Sequence, residues 1–284
     1  MEKTLNSKNT LPQNKMGTDS IPLLLVKMAL PMMFAMLIQS LYNIVDTIFV
    51  AQISSSALKA LSLANPFQTL IAGVATGTGV GINALVSRRL GEKNQPGADA
   101  SATNGLFLGV VSGIVLGIAI GGFARPMLAT FSPSPETLDM AVTYLSICAS
   151  MCIFNITGVI LGKILLSTGS TVQSMLTQLV GAIANIILDP IMIFGKFGFP
   201  VMGVAGAALA TVIGQTLSML LGFYILLRKN KMVTIRVKKF RPNLKIIGEI
   251  YNVGLPVICM QALGSFTNFC LNKILLGLSE SAIS

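Results

Sequence analysis

The chain has 284 residues, 53% of them hydrophobic and only 11% charged, against the roughly 25% charged that soluble domains carry. It has no histidine, which excludes His-containing catalytic triads and His-bearing zinc sites. Its formal charge of +10 comes from Lys and Arg placed between apolar runs, where membrane orientation and anionic lipid account for them and nucleic acid does not.

Residues 1 to 20 (MEKTLNSKNTLPQNKMGTDS) are polar and lack the apolar core and cleavage site of a signal peptide, so they read as a disordered tail. Seven stretches after it carry the roughly 20 apolar residues that a bilayer-crossing helix needs: about 28 to 53, 61 to 87, 102 to 124, 137 to 161, 171 to 195, 203 to 227 and 248 to 277. The expected fold is therefore an all-α polytopic membrane helical bundle of about seven spans. Short connections such as RRLGEKNQPG (88 to 97), RPMLATFSPSPE (125 to 136) and RKNKMVTIRVKKFRP (228 to 242) separate them. With the tail in the cytoplasm, that side receives sixteen of the 20 Lys and Arg, among them Lys163 in the fourth connection, while the other side receives Lys59, Arg125 and Lys196. The asymmetry predicts a multi-pass protein of the plasma (inner) membrane with a cytoplasmic N-terminus.

Residues 29 to 59 align without gaps on 254 to 284, matching Leu30, Pro31, Ser40, Asn43, Ser54, Ser56 and Ala57 with Leu255, Pro256, Ser265, Asn268, Ser279, Ser281 and Ala282. An even number of spans per repeat makes the two copies run in the same direction, about an axis along the membrane normal. The expected organisation is a six-helix lobe over 21 to 228, a basic, solvated cytoplasmic linker over 229 to 247, and the first helix of an incomplete second lobe over 248 to 284. Small residues recur at every fourth position in the second span (Gly73, Gly77, Gly81), the third (Gly105 to Gly121) and the sixth (Gly206, Ala210, Gly214, Ser218, Gly222), a pattern that lets helix backbones approach closely in lipid. The four cysteines lie within apolar segments and read as packing residues.

Two acids lie well inside the first six spans: Asp46, in the stretch that also carries Gln39, Tyr42 and Asn43, and Asp189, which shares a face with Gln178 and Asn185. Both spans run outward and both acids fall six or seven residues from the outer end, so the two side chains meet in depth. The sixth span starts at that level and brings Thr211 and the carbonyl of Ala207. A carboxylate at membrane depth costs several kcal/mol unless paired, hydrated or neutral, and no Lys or Arg of the first six spans lies at this depth. The acids therefore hold protons, or a hard cation held by carboxylate, amide, hydroxyl and carbonyl oxygens, unless interfacial water hydrates them. Pro190 has no N–H for the carbonyl of Ile186, which frees one more oxygen beside Asp189.

The stretches LPMMFAMLIQSLYNIVDTIFVAQIS, SRRLGEKN, NIILDPIMIFG and GVAGAALATVIGQ resemble those of the multidrug and toxic compound extrusion (MATE) family, over about residues 20 to 284. The resemblance implies an exporter of about twelve helices in two lobes that moves cationic or amphipathic drugs outward against sodium or protons, with no other cofactor and no enzymatic chemistry. It also implies a coupling site formed by Asp46, Asn185, Asp189, the Ala207 carbonyl and the Thr211 hydroxyl, and the polar faces of the two acid-bearing spans add Gln39, Tyr42, Asn43 and Gln178 as residues expected to line the site or the substrate path. This chain carries one lobe and the start of the next, so full transport needs the missing lobe. The rival readings are a lipid-linked oligosaccharide flippase of the same broad superfamily and a non-transporting membrane fragment.

Overall fold

The first apolar run folds as one helix, α1 (Ile21–Ala51), and every later run does the same or nearly so: α2 (Ser55–Gly91), α3 (Gln95–Ala129), α4 (Pro135–Ser150), α5 (Cys152–Ser167), α6 (Thr171–Phe194), α7 (Val204–Arg228) and α8 (Leu244–Leu278). The computed structural model describes residues 20–131, 133–230, 232–235 and 241–278; the expected tail over 1 to 19 and the last six residues of the chain lie outside the described residues. Among the described residues six helices are long and apolar enough to cross a membrane, and the bent pair α4 and α5 makes a seventh span.

The helices outrun the apolar windows because a helix ends where its backbone groups find other partners, not where hydrophobicity stops. Ser54 caps α2 by accepting from the Ala57 N–H, Asn94 caps α3 from the Gly97 N–H, and Ser134 caps α4 from the Thr137 N–H. The segment RRLGEKNQPG is thus helix at both ends with only three residues of turn between. Pro31, Pro66, Pro190 and Pro256 lie inside helices without ending them.

The fourth span differs from its expected form. Instead of one helix over 137 to 161, the chain bends by 51° at Met151 and continues to Ser167. Neither Pro nor Gly marks the bend; the Ser150 hydroxyl donates to the Ile147 carbonyl, a side-chain bond that competes with the helix ladder. The continuation carries Lys163 inside α5 rather than in a connecting loop.

The glycine stripes are the surfaces on which the bundle closes. A Cβ on Gly73, Gly77 or Gly81 of α2 would run into Gln261, Ile258 or the Ile250 carbonyl of α8, and one on Gly113 would meet the Ile153 backbone of α5 at 2.5 Å. On α7, a Cβ on Gly214 would lie 2.6 Å from the Gly181 carbonyl of α6. The α8 helix therefore docks lengthwise along α2, sealed further by Phe269 against Phe67 and Phe131 and by the Asn272 amide donating to the Ser62 carbonyl.

Linker residues next to α8 do not float free at the basic end. The Thr234 N–H donates to Asp99, the Asn243 N–H donates to Asn104, the Gln95 amide donates to the Met232 carbonyl, and Arg89 pairs with Glu249 at 2.7 Å. Val233 and Ile246 are buried. The expectation of a solvated linker over 229 to 247 is corrected for these residues: the Gln95, Asp99 and Asn104 side chains of α3 offer hydrogen-bond partners that loop backbone otherwise lacks.

The glycine contacts predict a sharp contrast. Gly81→Ala places its methyl against the Ile250 carbonyl and should destabilise the purified chain by about 1–3 kcal/mol, as overpacking does. Gly91→Ala, where nothing lies within 4 Å of the new carbon, should stay within about 0.5 kcal/mol of the parent. Thermal unfolding in detergent reads both.

Candidate functional site

Asp46 and Asp189 are brought together. Asp189 is 0% exposed and Asp46 9%, and they lie close enough for their charges to interact. Each keeps one carboxylate oxygen, Oδ1, buried without a hydrogen-bond partner. The α1 and α6 ends that carry them are held by an edge-on contact between Phe49 and Phe194, with ring centroids 6.2 Å apart.

Asn185 joins α6 to α7. In the amide orientation that satisfies all its neighbours, Nδ2 donates to Asp189 Oδ2 at 2.8 Å and Oδ1 accepts from the Thr211 N–H at 3.0 Å. The Thr211 hydroxyl sits 3.0 Å from the Ala207 carbonyl and 3.1 Å from the Asn185 amide. Asn185, Ala207 and Thr211 are all buried. The five residues expected at the coupling site thus occupy one dry compartment between α1, α6 and α7.

Local sequence explains how α7 arrives at the right level. Gly195 ends α6 in the left-handed region (φ 69°), where a side chain is disfavoured. The chain then makes one 3-10 turn at Lys196–Gly198 and returns, with the Met202 and Gly203 N–H groups donating to the Met192 and Ile193 carbonyls. A Cβ on Gly206 would lie 2.5 Å from the Met192 carbonyl oxygen. Only glycine permits that approach, and it sets Ala207 and Thr211 beside Asn185.

Below this compartment lies a cavity of about 480 Å³ between α1, α2, α5, α6 and α7. Gln39, Tyr42, Gln178, Asn185 and Thr211 line it, together with Met32, Met36 and Met175. Neither Asp46 nor Asp189 reaches its wall. Tyr42 does, and it interacts with Thr211 and with both acids, so it forms part of the partition between cavity and carboxylates. Asn43 is not brought to the group: it is exposed, lies off the cavity, and its carbonyl accepts from the Thr47 hydroxyl. The one-residue step from Tyr42 turns it about 100° away around the helix.

Three residues near Asp46 escape a reading based on the first and fifth spans alone. Tyr144 and Cys148 of α4 lie within electrostatic reach of Asp46, and Gln68 of α2 donates toward the Cys148 sulfur. Tyr144 and Cys148 stand four apart on one helical face, a usable signal, but cysteine in an apolar run reads as packing. Lys163 was missed for another reason: with the fourth span expected to end at 161, it fell outside the bundle, whereas α5 carries it onto the cavity wall.

A polytopic helical bundle with buried acids above a partly open cavity defines a membrane protein of the transporter-like class. The chain belongs to the MatE family, whose model matches residues 31–191. It is 29% identical over 257 residues to the multidrug export protein MepA of Staphylococcus aureus and 30% identical over 258 residues to that of Staphylococcus saprophyticus, in each case across 90% of this chain and 56% of the relative. Among solved structures, it superposes on an outward-facing multidrug resistance MATE family transporter of the MOP superfamily with a TM-score of 0.86 at 28% identity, covering 95% of this chain and 59% of that one. It superposes on a MOP superfamily transporter from Pyrococcus furiosus, described as having a binding pocket of reverse polarity, with a TM-score of 0.87 at 28% identity, covering 97% and 61%. The chain spans a little over half the length of the curated relatives it matches.

Gly206→Ala tests whether the α6–α7 approach builds the compartment. The new methyl against the Met192 carbonyl should cost about 1–3 kcal/mol and should abolish any stabilisation of the purified chain by sodium, read as the shift in melting temperature between sodium and choline buffers.

Proposed function

We propose that this chain forms the first lobe, and the first helix of the second, of a secondary antiporter that exports amphipathic compounds in exchange for sodium or protons. One observation carries the reading: two carboxylates share a buried compartment with an amide, a hydroxyl and a carbonyl, each acid with an oxygen left unpartnered, while among the described residues no ion pair reaches either acid. A buried carboxylate in that condition calls for a proton or a cation. Similarity to the MepA multidrug export proteins supports export as the use made of it.

In this reading the oxygens of Asp46, Asp189, Asn185, Thr211 and the Ala207 carbonyl hold the ion. Occupancy by one monovalent ion cancels one of the two negative charges and bridges the acids, favouring the closed packing of α1 on α6 and α7; loss of the ion leaves two facing negative charges and favours their separation. Tyr42, on the partition, transmits the movement of α1 to the cavity. The ion drives the change only through its different affinity for the two arrangements. The basic end faces the cytoplasm of the plasma membrane, and a second lobe completes the transport path against the apolar faces that α1 and α8 leave exposed, such as Leu37, Leu41, Ile44, Leu263 and Phe266.

A second reading is favoured by one feature. A flippase for lipid-linked oligosaccharides needs a cation in its cavity to meet phosphate, and Lys163 supplies one.

Sodium at about a hundred times its dissociation constant should stabilise the purified chain by about 2.7 kcal/mol, and Asp189→Asn should remove that response; for proton coupling, a pH-indicator dye should record uptake by the parent chain and not by the variant. In vesicles holding the protein with both lobes, Asp46→Asn or Asp189→Asn should abolish ion-driven efflux of a dye with insertion intact. Unchanged efflux in either variant would refute the assignment.

A further inference from the structure

The cavity beneath the acids has a charge of its own, opposite in sign. Among the described residues Lys163 is the only ionisable side chain other than Tyr42 on its wall; the remaining polar lining consists of amides and hydroxyls from Gln39, Thr76, Asn155, Thr171, Ser174 and neighbours. Among the described residues the Lys163 ammonium has no hydrogen-bond or ion-pair partner. Nor is it the countercharge of the aspartates. The adjacent Gly162 stands level with Ser174, since a Cβ there would meet Ser174 Oγ at 3.4 Å. From Ser174 to Asp189 is fifteen residues of α6, about 22 Å at 1.5 Å per residue, far beyond the roughly 4 Å of an ion pair.

The position of Lys163 is built. Its aliphatic stem crosses α2 at Gly79, where a Cβ would lie only 2.8 Å from Lys163 Cγ. Gly79 is buried, so the missing methyl makes room for the stem, and the stem's direction is set by contact with helix backbone rather than left to solvent. A long cation held against a glycine, on the wall of a cavity that Met32, Met36 and Met175 also line, serves a ligand with an apolar body and a negative group.

We propose that Lys163 is a specificity-determining residue that docks the anionic group, a carboxylate or phosphate, of an amphiphilic or zwitterionic substrate in the lobe's cavity. The substrate's apolar body then lies along the methionines toward Tyr42, and any cationic end points toward the sealed acids. A substrate carrying only positive charge meets repulsion at Lys163. This narrows the substrate class of the antiport reading and takes its physiological meaning from it, while the binding itself is independent of coupling.

The test uses the purified chain in nanodiscs and two dyes that differ in one group, tetramethylrhodamine with its free carboxylate and its methyl ester. The parent chain should bind the acid at least tenfold more tightly than the ester by fluorescence anisotropy. Lys163→Gln should bring the two within about twofold, Lys163→Arg should keep most of the preference, and Gly79→Ala, which pushes on the stem, should weaken acid binding while sparing the ester. Displacement of the acid dye by dioctanoyl phosphatidic acid points to a lipid phosphate as the natural anion; displacement by a soluble aryl carboxylate alone points to a water-borne one. Either displacement supports the proposal. Equal affinity of the parent chain for acid and ester, failure to bind either, or a preference that survives in Lys163→Gln overturns it. The sodium response of the same parent sample reports separately on the antiport reading, so failure of one is not mistaken for failure of the other.

Discussion

Where water is scarce, a carboxylate must find its partners in protein, and here the partner Asp189 does find depends on packing α6 and α7 within hydrogen-bonding distance of each other beside α1. The decisive contact is Asn185, which holds Asp189 with one end of its amide and the backbone and hydroxyl of Thr211 with the other. That contact exists only because α6 and α7 approach to near backbone contact at two places, Gly206 against Met192 and Gly214 against Gly181. A side chain at either glycine would part the hairpin, and the oxygens of α7 would no longer face the acids of α1 and α6. The small-residue stripe of α7 and its polar residues are thus one device: the first sets the spacing and the second uses it.

The compartment is satisfied on one side and left open on the other. Asp189 Oδ2 has its amide donor, while Oδ1 of each acid has none. A structural site of this depth would satisfy every oxygen or replace the acids with apolar residues, because half-satisfied buried polar groups are the costly case. Unpartnered oxygens gathered beside a hydroxyl, an amide and a carbonyl are what an exchangeable ion requires: enough ligands to bind, too few internal bonds to be stable without it.

Much of this was legible in the sequence, and what was not has identifiable causes. Membrane spans follow from apolar length, and the depth of Asp46, Asp189 and Thr211 follows from counting residues from span ends, so these side chains come to one level of the bundle. Asn43 failed because depth was read more finely than rotation: residues 42 and 43 share a level, yet only Tyr42 faces the bundle. The bend at Met151 has no Pro or Gly to announce it, so the end of its span was misplaced and Lys163 with it. The linker's attachment to Asp99 and Asn104 depends on contacts more than a hundred residues apart, which no local pattern encodes. The α8 helix is a different case: shifted by the repeat offset, α1 falls inside α8, and glycines whose partner the sequence left unnamed turn out to be its bed on α2.

On the proposed reading, the two charged features of the lobe, placed about 20 Å apart along α6, would divide the labour between ion and cargo. Negative charge is kept behind Tyr42, Asn185 and Thr211, where a small ion fits and an amphiphile does not; positive charge stands on the cavity wall, where an amphiphile fits and a small cation is repelled. Such a separation lets one ligand leave before the other enters without competing for the same atoms, yet both act on α1, which carries Asp46 on one side of the partition and Met32, Met36 and Gln39 on the cavity side. A helix that would touch both ligands, and that packs chiefly along α6 with only slight contact to α2 and α7, is the element whose packing either ligand would bias. Coupling in this lobe then needs no long chain of contacts, only one helix with two preferred positions and a different ligand stabilising each.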